Sequence, residues 1–433
     1  MSNVAQAKAE YDRLESVRVH RPGFETYLGV IDREPNLFLK QFSVRQAKEE
    51  HDEIVSILSD EGIDVHYLHE DLSTDGTIDR LLRERVDFDT SDISQRRREV
   101  GLDEEELLDR LMRLDPHSKL QVISCNSEII RNGHGASEKE IGKGNYGLGK
   151  ERFDSTSYRF REPMTNLYFQ RDQQIVTDKG PVLGNFSFST RQAEVELANA
   201  AWEAIGADIV HNVSGEPKLE GGDYIPAGEF GLVGVSGVID GKEKVLRTSL
   251  DAGEELLQNQ VFDHDEVGLV RAPIKADKEV ARQQKTDPNI ESKMDVMHLD
   301  TWFNIADDGL AVGREYLINN TDVIIYSQAR DGSYERVGTK EFGNYLREKG
   351  YEIIPVPYKE RLVATNFLTL DRGKVFPICI TGQDGYAPEQ NKTIERMKEY
   401  GVEIVPNGTG LAIDALRSGY GGIHCMTSPI RRR

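Results

Sequence analysis

The chain has 433 residues, of which 38% are hydrophobic, enough for one large core or for two domains by length alone. Its 75 acidic residues against 54 basic ones leave a formal net charge of -21. Such a surface repels phosphate backbones, which argues against nucleic acid and anionic membrane as partners, and it attracts cations.

The N-terminal stretch MSNVAQAKAEYDRLESVRVHRPG is charged and lacks the apolar core of a signal peptide. No run approaches the roughly 20 apolar residues needed to span a bilayer. The three cysteines, Cys125, Cys379 and Cys425, are too few and unevenly placed for a disulfide framework. No C-x-x-C pair suggests a metal site. The expectation is a soluble, cytoplasmic protein without metal or organic cofactor.

Along the chain, four segments read as a helix, a glycine and a strand. They are EIVSILSDEGIDVHYL, VELANAAWEAIGADIVHNV, EFGNYLREKGYEIIPVP and TIERMKEYGVEIVPN, with Gly62, Gly206, Gly350 and Gly401 at the junctions. Glycine there fits the residue after a helix, where the left-handed conformation carries no Cβ penalty. A fifth, weaker copy is ELLQNQVFDHDEVGLVRAPI. Strand-turn-strand units fall between them: NLYFQRDQQIVTDKGPVLGNF, LEGGDYIPAGEFGLVGVS, MHLDTWFNIADDGLAVG and TNFLTLDRGKVFPICI. Turns at Asp178–Gly180, Asp307–Gly309 and Asp371–Gly373 carry hairpin chemistry. The final GGIHCMTSPI is expected to pair with SVRVHRPG near the start.

The pattern predicts about five α/β modules that close radially, because repeats of this size cannot bury their apolar faces alone. Radial closure would aim Asp172, Glu220, Asp223, His298, Asp300 and Cys425 at one cavity. Residues 72–126 break the repeat with the charged helical patterns TIDRLLRERV and DEEELLDRLMRLD. They predict a helical insertion, leaving 1–71 and 127–433 as the catalytic domain. The glycine-rich stretch from Gly133 to Arg159 reads as a long loop.

These residues suit an attack on a guanidinium carbon. Carboxylates orient the planar cation by bidentate hydrogen bonds. A thiolate adds to its carbon, and an acid/base protonates the departing nitrogen. Asp172 and Asp300 are the carboxylates. His298 lies two residues from Asp300, so both side chains share a face if the segment is extended. Glu220 precedes two glycines that permit close backbone approach. Cys425 sits among Gly419, Gly421 and Gly422, whereas Cys125 and Cys379 lie in apolar runs typical of inert thiols.

In order and spacing, NLYFQRD, LEGGD, MHLDTW and GYGGIHCMTSP, with VHRPG and AKEEHDEI upstream, resemble arginine deiminase of the guanidino-group-modifying superfamily. The resemblance spans nearly the whole chain. It implies an α/β propeller of five modules (the pentein fold) with an inserted helical subdomain. It implies Cys425 as nucleophile, His298 as general acid/base partnered by Glu220, and Asp172 and Asp300 as guanidinium ligands. Asn166, Arg191 and Arg247 would hold the α-carboxylate, Phe169 would line the pocket, and Asp223 joins the binding set. The implied reaction is hydrolysis of arginine to citrulline and ammonia through a thiouronium on Cys425, in a homo-oligomer. Amidino transfer, hydrolysis onward to ornithine, and silent arginine binding are the rivals. Two departures bear on the far end of the substrate. Tyr420 stands where relatives often carry arginine, and Leu39 and Lys40 stand where they carry an acidic pair.

Overall fold

The computed structural model describes residues 3–89, 104–132, 155–274, 293–357, 360, 364–379 and 391–433. Among the described residues six sheets share one plan, an antiparallel pair joined by a parallel third strand; five of them follow the repeat and one lies with the insertion. In the first, Leu14–Val19 runs antiparallel to Ser428–Arg432 and parallel to Asp64–Tyr67. The second combines Gln174–Val176, Pro181–Leu183 and His211–Asn212. The third combines Tyr224–Ala227, Phe230–Val235 and Glu266–Arg271. The fourth combines Phe303–Asp307, Leu310–Gly313 and Glu352–Pro355, and the fifth Leu368–Asp371, Lys374–Phe376 and Glu403–Ile404. The expected pairing of the chain's two ends is therefore observed.

A helix precedes every parallel strand: Val44–Asp60, Gln192–Ala204, Leu250–Gln258, Phe342–Glu348 and Lys392–Glu399. The first begins at Ser43, whose hydroxyl accepts the N–H of Gln46, and Ser249 caps the third in the same way through Ala252. Gly62, Gly206, Gly350 and Gly401 take φ of 78°, 76°, 84° and 83°. The stop signal read from the sequence is thus the one the backbone uses. The third helix has no such glycine, and Gln260 takes the positive φ of 50° instead.

The helices bury one face against these sheets, in apolar clusters that run from module to module. Ile54 and Leu58 pack with Leu14, Val17 and Phe376, and Ile394 and Met397 pack with Val375 and Ile354. A Leu or Ile to Ala change in such a layer costs about 2–5 kcal/mol.

Three features differ from the sequence reading. The two predicted helices of the insertion form at Thr77–Arg85 and Glu104–Met112, and a third, Pro116–Ser124, joins them. They accompany a further sheet of Asp87–Asp89, Ser127–Asn132 and Ser155–Phe160. The stretch expected to be loop up to Arg159 therefore ends in a strand, while 133–154 lies outside the described residues. Glycine content hid the alternating Ser-Thr-Ser-Tyr-Arg-Phe pattern beside it. The third sheet gains Asp322–Gln328 and Tyr334–Glu341, which the repeat did not contain. Residues 237–244 form a hairpin of Gly237–Ile239 and Lys242–Lys244, which returns the chain to bury Arg247. Among the described residues, no helix is long and apolar enough to cross a membrane.

Candidate active site

Each of the five sheets is entered through a turn that carries a polar side chain. Asp172 precedes Gln174–Val176, Glu220 precedes Tyr224–Ala227 and His298 precedes Phe303–Asp307. Asn366 precedes Leu368–Asp371, and Cys425 precedes Ser428–Arg432. Asp172, His298 and Cys425 line one cavity with Leu37, Asn166, Phe169, Arg191, Arg247, Met294, Met297, Gly419 and Gly421, enclosing about 370 Å³ with its mouth included. Glu220, Asp300 and Asn366 form a layer behind them, each with 0% exposure.

Glycines make the close packing possible. A Cβ on Gly221 would stand 2.0 Å from the Arg171 carbonyl oxygen, and one on Gly222 would stand 2.6 Å from Nδ1 of His298. The Gly-Gly of LEGGD thus lets Glu220 reach the histidine. A Cβ on Gly421 would meet the Phe169 ring at 2.4 Å and the Cys425 Cβ at 2.8 Å.

Nε2 of His298 lies 3.0 Å from Oε2 of Glu220, while Nδ1 has no hydrogen-bond partner and faces Oδ1 of Asp172 at 3.8 Å. Burial alone would push this imidazole down. The hydrogen bond to Glu220 and the charges of Asp172 and Asp223 outweigh it, raising His298 to about 9. Glu220 also accepts from the N–H and hydroxyl of Ser187. Burial raises Glu220, but the Arg247 charge and the His298 hydrogen bond prevail and hold it well below the usual carboxylate range. At neutral pH the pair is therefore an imidazolium on a carboxylate.

Cys425 occupies a single helical turn, Ile423–Met426, and its Sγ lies 3.4 Å from Oδ2 of Asp300. Burial pushes its thiol well above the ordinary value, and the negative charges of Asp300 and Asp172 add to the rise. Asp300 is itself held low, because the His424 hydrogen bond at 2.8 Å outweighs its burial. One oxygen each of Asp172 and Asp300 has no hydrogen-bond partner. Two buried acceptors without donors, beside an unionised thiol, suit a planar cation that brings N–H groups and positive charge.

Two arginines also line the cavity, Arg191 beside Asp172 and Arg247 with its Nη1 3.6 Å from Oε2 of Glu220. The guanidinium of Arg191 lies over Phe186 at 4.4 Å and that of Arg247 over Phe188 at 4.7 Å. Arg191 was expected to be available for a carboxylate. It instead donates to Oδ2 of Asp172 at 2.7 Å and grips Glu194 through two nitrogens. Coulomb attraction of the guanidinium to two buried carboxylates explains that position. Asn166 donates to the Asn36 carbonyl at 3.0 Å, and Phe169 packs on Tyr168 with ring centroids 4.2 Å apart.

Asp223 departs from its expected role. Its carboxylate accepts the N–H of Leu299 at 2.9 Å and steadies the His298 turn from behind rather than lining the cavity. Burial raises it to about 7. The three positions that depart from the resembled family lie close in sequence to cavity-lining Leu37, Gly419 and Gly421 or pair with the segment before those glycines. Leu39 donates its N–H to the Ser418 carbonyl at 2.7 Å, Lys40 pairs with Asp414 at 2.5 Å, and Tyr420 holds φ of 68° in the glycine-rich loop. Asn366, His424 and Glu194 were not singled out from the sequence. Asn366 had a usable signal, since it enters its sheet where the other modules carry Asp172, Glu220, His298 and Cys425. Among the described residues, no group of three or more His, Cys, Asp or Glu is arranged to hold a metal ion.

The family model described as arginine deiminase matches residues 36–432. An arginine deiminase of Halobacterium salinarum is 39% identical over 495 aligned positions, covering 100% of this chain and 97% of the relative. One from Streptococcus pneumoniae is 25% identical over 460 positions, covering 100% and 99%. Among solved structures, an amidinotransferase of saxitoxin biosynthesis from Microseira wollei aligns with a TM-score of 0.51 at 13% identity, covering 99% of this chain and 98% of that one. That likeness concerns the fold alone, which is mixed α/β in both.

Proposed function

The chain belongs to the arginine deiminase family, and from that premise we propose how its own residues carry out the hydrolysis of arginine to citrulline and ammonia. The observation that carries the proposal is the cavity shared by Cys425, His298 and Asp172, with Asp300 and Glu220 behind it.

The guanidinium of arginine docks on Asp172 and Asp300, supplying donors to their unpartnered oxygens. Its positive charge offsets the two carboxylates that keep Cys425 protonated, so substrate binding itself favours the thiolate, the thiol proton passing to solvent because His298 already carries its own. The thiolate forms a bond to the guanidinium carbon. His298, protonated at neutral pH and held by Glu220, gives its proton to the departing nitrogen, and ammonia leaves a thiouronium on Cys425. The imidazole, now neutral, takes a proton from water as it adds to the same carbon. Collapse of that adduct breaks the C–S bond and releases citrulline, the remaining hydroxyl proton returning to the sulfur to restore the thiol. Arg247 supplies positive charge for the α-carboxylate, Arg191 adds to that field only from its pairing with Asp172 and Glu194, and Asn166 and Phe169 shape the wall.

The same proposal includes closure of the five like sheets into a pentein propeller, supported by their shared strand plan and by the convergence of their entry turns. We keep the helical insertion at 72–126, with the sheet that follows it joined to it through Asp87–Asp89. The three cysteines are free, which accords with a reducing, cytoplasmic setting. We take a homo-oligomer as the assembly, which light scattering checks. The function is tested by incubating the protein with arginine and identifying the products by mass. Citrulline with one ammonia, lost on Cys425→Ala, is the expected result. Ornithine, or amidino transfer to added glycine, would refute it.

A further inference from the structure

A buried thiol between two carboxylates is a poor nucleophile unless something favours its ionised form. Around Cys425 the structure offers one amide for that purpose. Nδ2 of Asn366 lies 3.1 Å from Sγ. The same side chain accepts, through Oδ1, the N–H of Gly422 at 2.7 Å and of Cys425 at 3.1 Å. These contacts settle the amide's orientation, since a flipped group would set N–H against two N–H donors.

The surroundings hold Asn366 rigidly. Asn304 donates to the carbonyls of Thr365 and Phe367, on either side of it, at 2.9 Å each. The Asn366 carbonyl accepts the N–H of His424 at 3.2 Å. Gly422 is required at this junction, because a Cβ there would stand 2.7 Å from the Asn366 carbonyl oxygen. The side chain has 0% exposure, so its donor is not spent on solvent. It also occupies the entry turn of the fifth sheet, the place that supplies Asp172, Glu220, His298 and Cys425 in the other four.

We propose that Asn366 is a further catalytic residue: its amide N–H stabilises the Cys425 thiolate, while its carbonyl oxygen fixes the turn that presents the sulfur to the substrate. The inference rests on Cys425 being the nucleophile. The two carboxylates around the sulfur serve the cationic substrate, and Asn366 supplies the neutral donor they cannot. A cation in its place would compete with the guanidinium for Asp300, whereas an amide donates without charge. On attack, the sulfur lone pair forms the C–S bond, and its charge is neutralised by the guanidinium. The hydrogen bond therefore matters most for the thiolate before attack.

The test compares Asn366→Asp and Asn366→Ala with the unsubstituted protein. Asn366→Asp keeps an acceptor for both backbone N–H groups but loses the donor. Asn366→Ala loses the donor without adding charge. Alkylation by iodoacetamide is followed at Cys425 by peptide mass across pH, without arginine, beside citrulline formation and a thermal melt. The expected result is an upward shift of the Cys425 alkylation midpoint in both variants, larger in Asn366→Asp. Loss of one preorganised donor also predicts a kcat reduction of about 100-fold. An alkylation midpoint unchanged in Asn366→Ala, or a kcat within about twofold of the unsubstituted protein in a folded variant, would overturn the proposal. Because alkylation is read without substrate, its outcome judges Asn366 even if citrulline formation by the unsubstituted protein failed and the functional reading fell with it.

Discussion

Cys125 and Cys425 are both buried thiols with a carboxylate nearby, and burial raises both. Cys125 closes the helix Pro116–Ser124, and burial with the Glu25 charge pushes it up to about 12. Cys425 is raised by burial and by Asp300 and Asp172. Thiol acidity therefore does not single out the nucleophile. Cys425 differs in lining a cavity, in having an amide donor at its sulfur, and in having carboxylates with unpartnered oxygens that a cation can neutralise. A thiol of this kind is a weak nucleophile at neutral pH until a cationic ligand arrives.

The largest expected effect breaks the comparison outright. Cys425→Ala should lower kcat by about 10⁴-fold or more, because no other group takes the nucleophile's role. Cys125→Ala should leave kcat within about twofold and cost only about 1 kcal/mol of stability, the price of a small buried gap. Citrulline assays and denaturant melts separate the two.

His298 comes next, as the proton donor that Cys125 lacks. His298→Gln should reduce kcat by about 10²–10⁴-fold. The sign of the pH dependence follows from its raised value. The folded state holds His298 at about 9, above the usual 6.5. Its contribution to stability is fully present below about 6.5 and is lost as pH rises through about 9. The melting temperature should fall over that window in the unsubstituted protein and flatten in His298→Gln. The protonated acid also disappears there, so kcat should decline above about 9.

Gly421→Ala sharpens the comparison through geometry alone. Its Cβ would press on the Phe169 ring and the Cys425 Cβ. A displacement of the sulfur by about 1 Å should cost about 100-fold in kcat with alkylation of Cys125 unchanged. The smallest effect is expected beneath Arg247. Phe188→Leu removes the ring beneath Arg247. A cation–π contact of about 0.5–1 kcal/mol predicts a rise in KM of about two- to fivefold with kcat retained.

Much of this was legible in the sequence because it depends on local backbone rules. The glycines after four helices and the hairpin turns appear where their spacing placed them. The pairing of the chain's ends also follows its expected course. Cys425, His298 and Asp172 meet as the repeat implied. Asp223 was misplaced because a turn carboxylate reads alike whether it faces a cavity or a backbone N–H. Arg191 was legible as a cavity residue, but its grip on Asp172 and Glu194 was not, since pairing of buried charges is decided by tertiary packing. Asn366 lies in the apolar segment TNFL, where no charge or spacing marks an amide. Only its equivalence to the other entry turns would have exposed it.

The central claim, that Cys425 attacks the guanidinium carbon, is tested most directly by trapping the intermediate. Arginine labelled at the guanidino carbon is mixed with excess enzyme, quenched in acid within a turnover, and digested for peptide mass analysis. The account predicts the labelled carbon on the peptide containing Cys425 and on neither Cys125 nor Cys379. Label on another residue, or citrulline formed undiminished by Cys425→Ala, would contradict it.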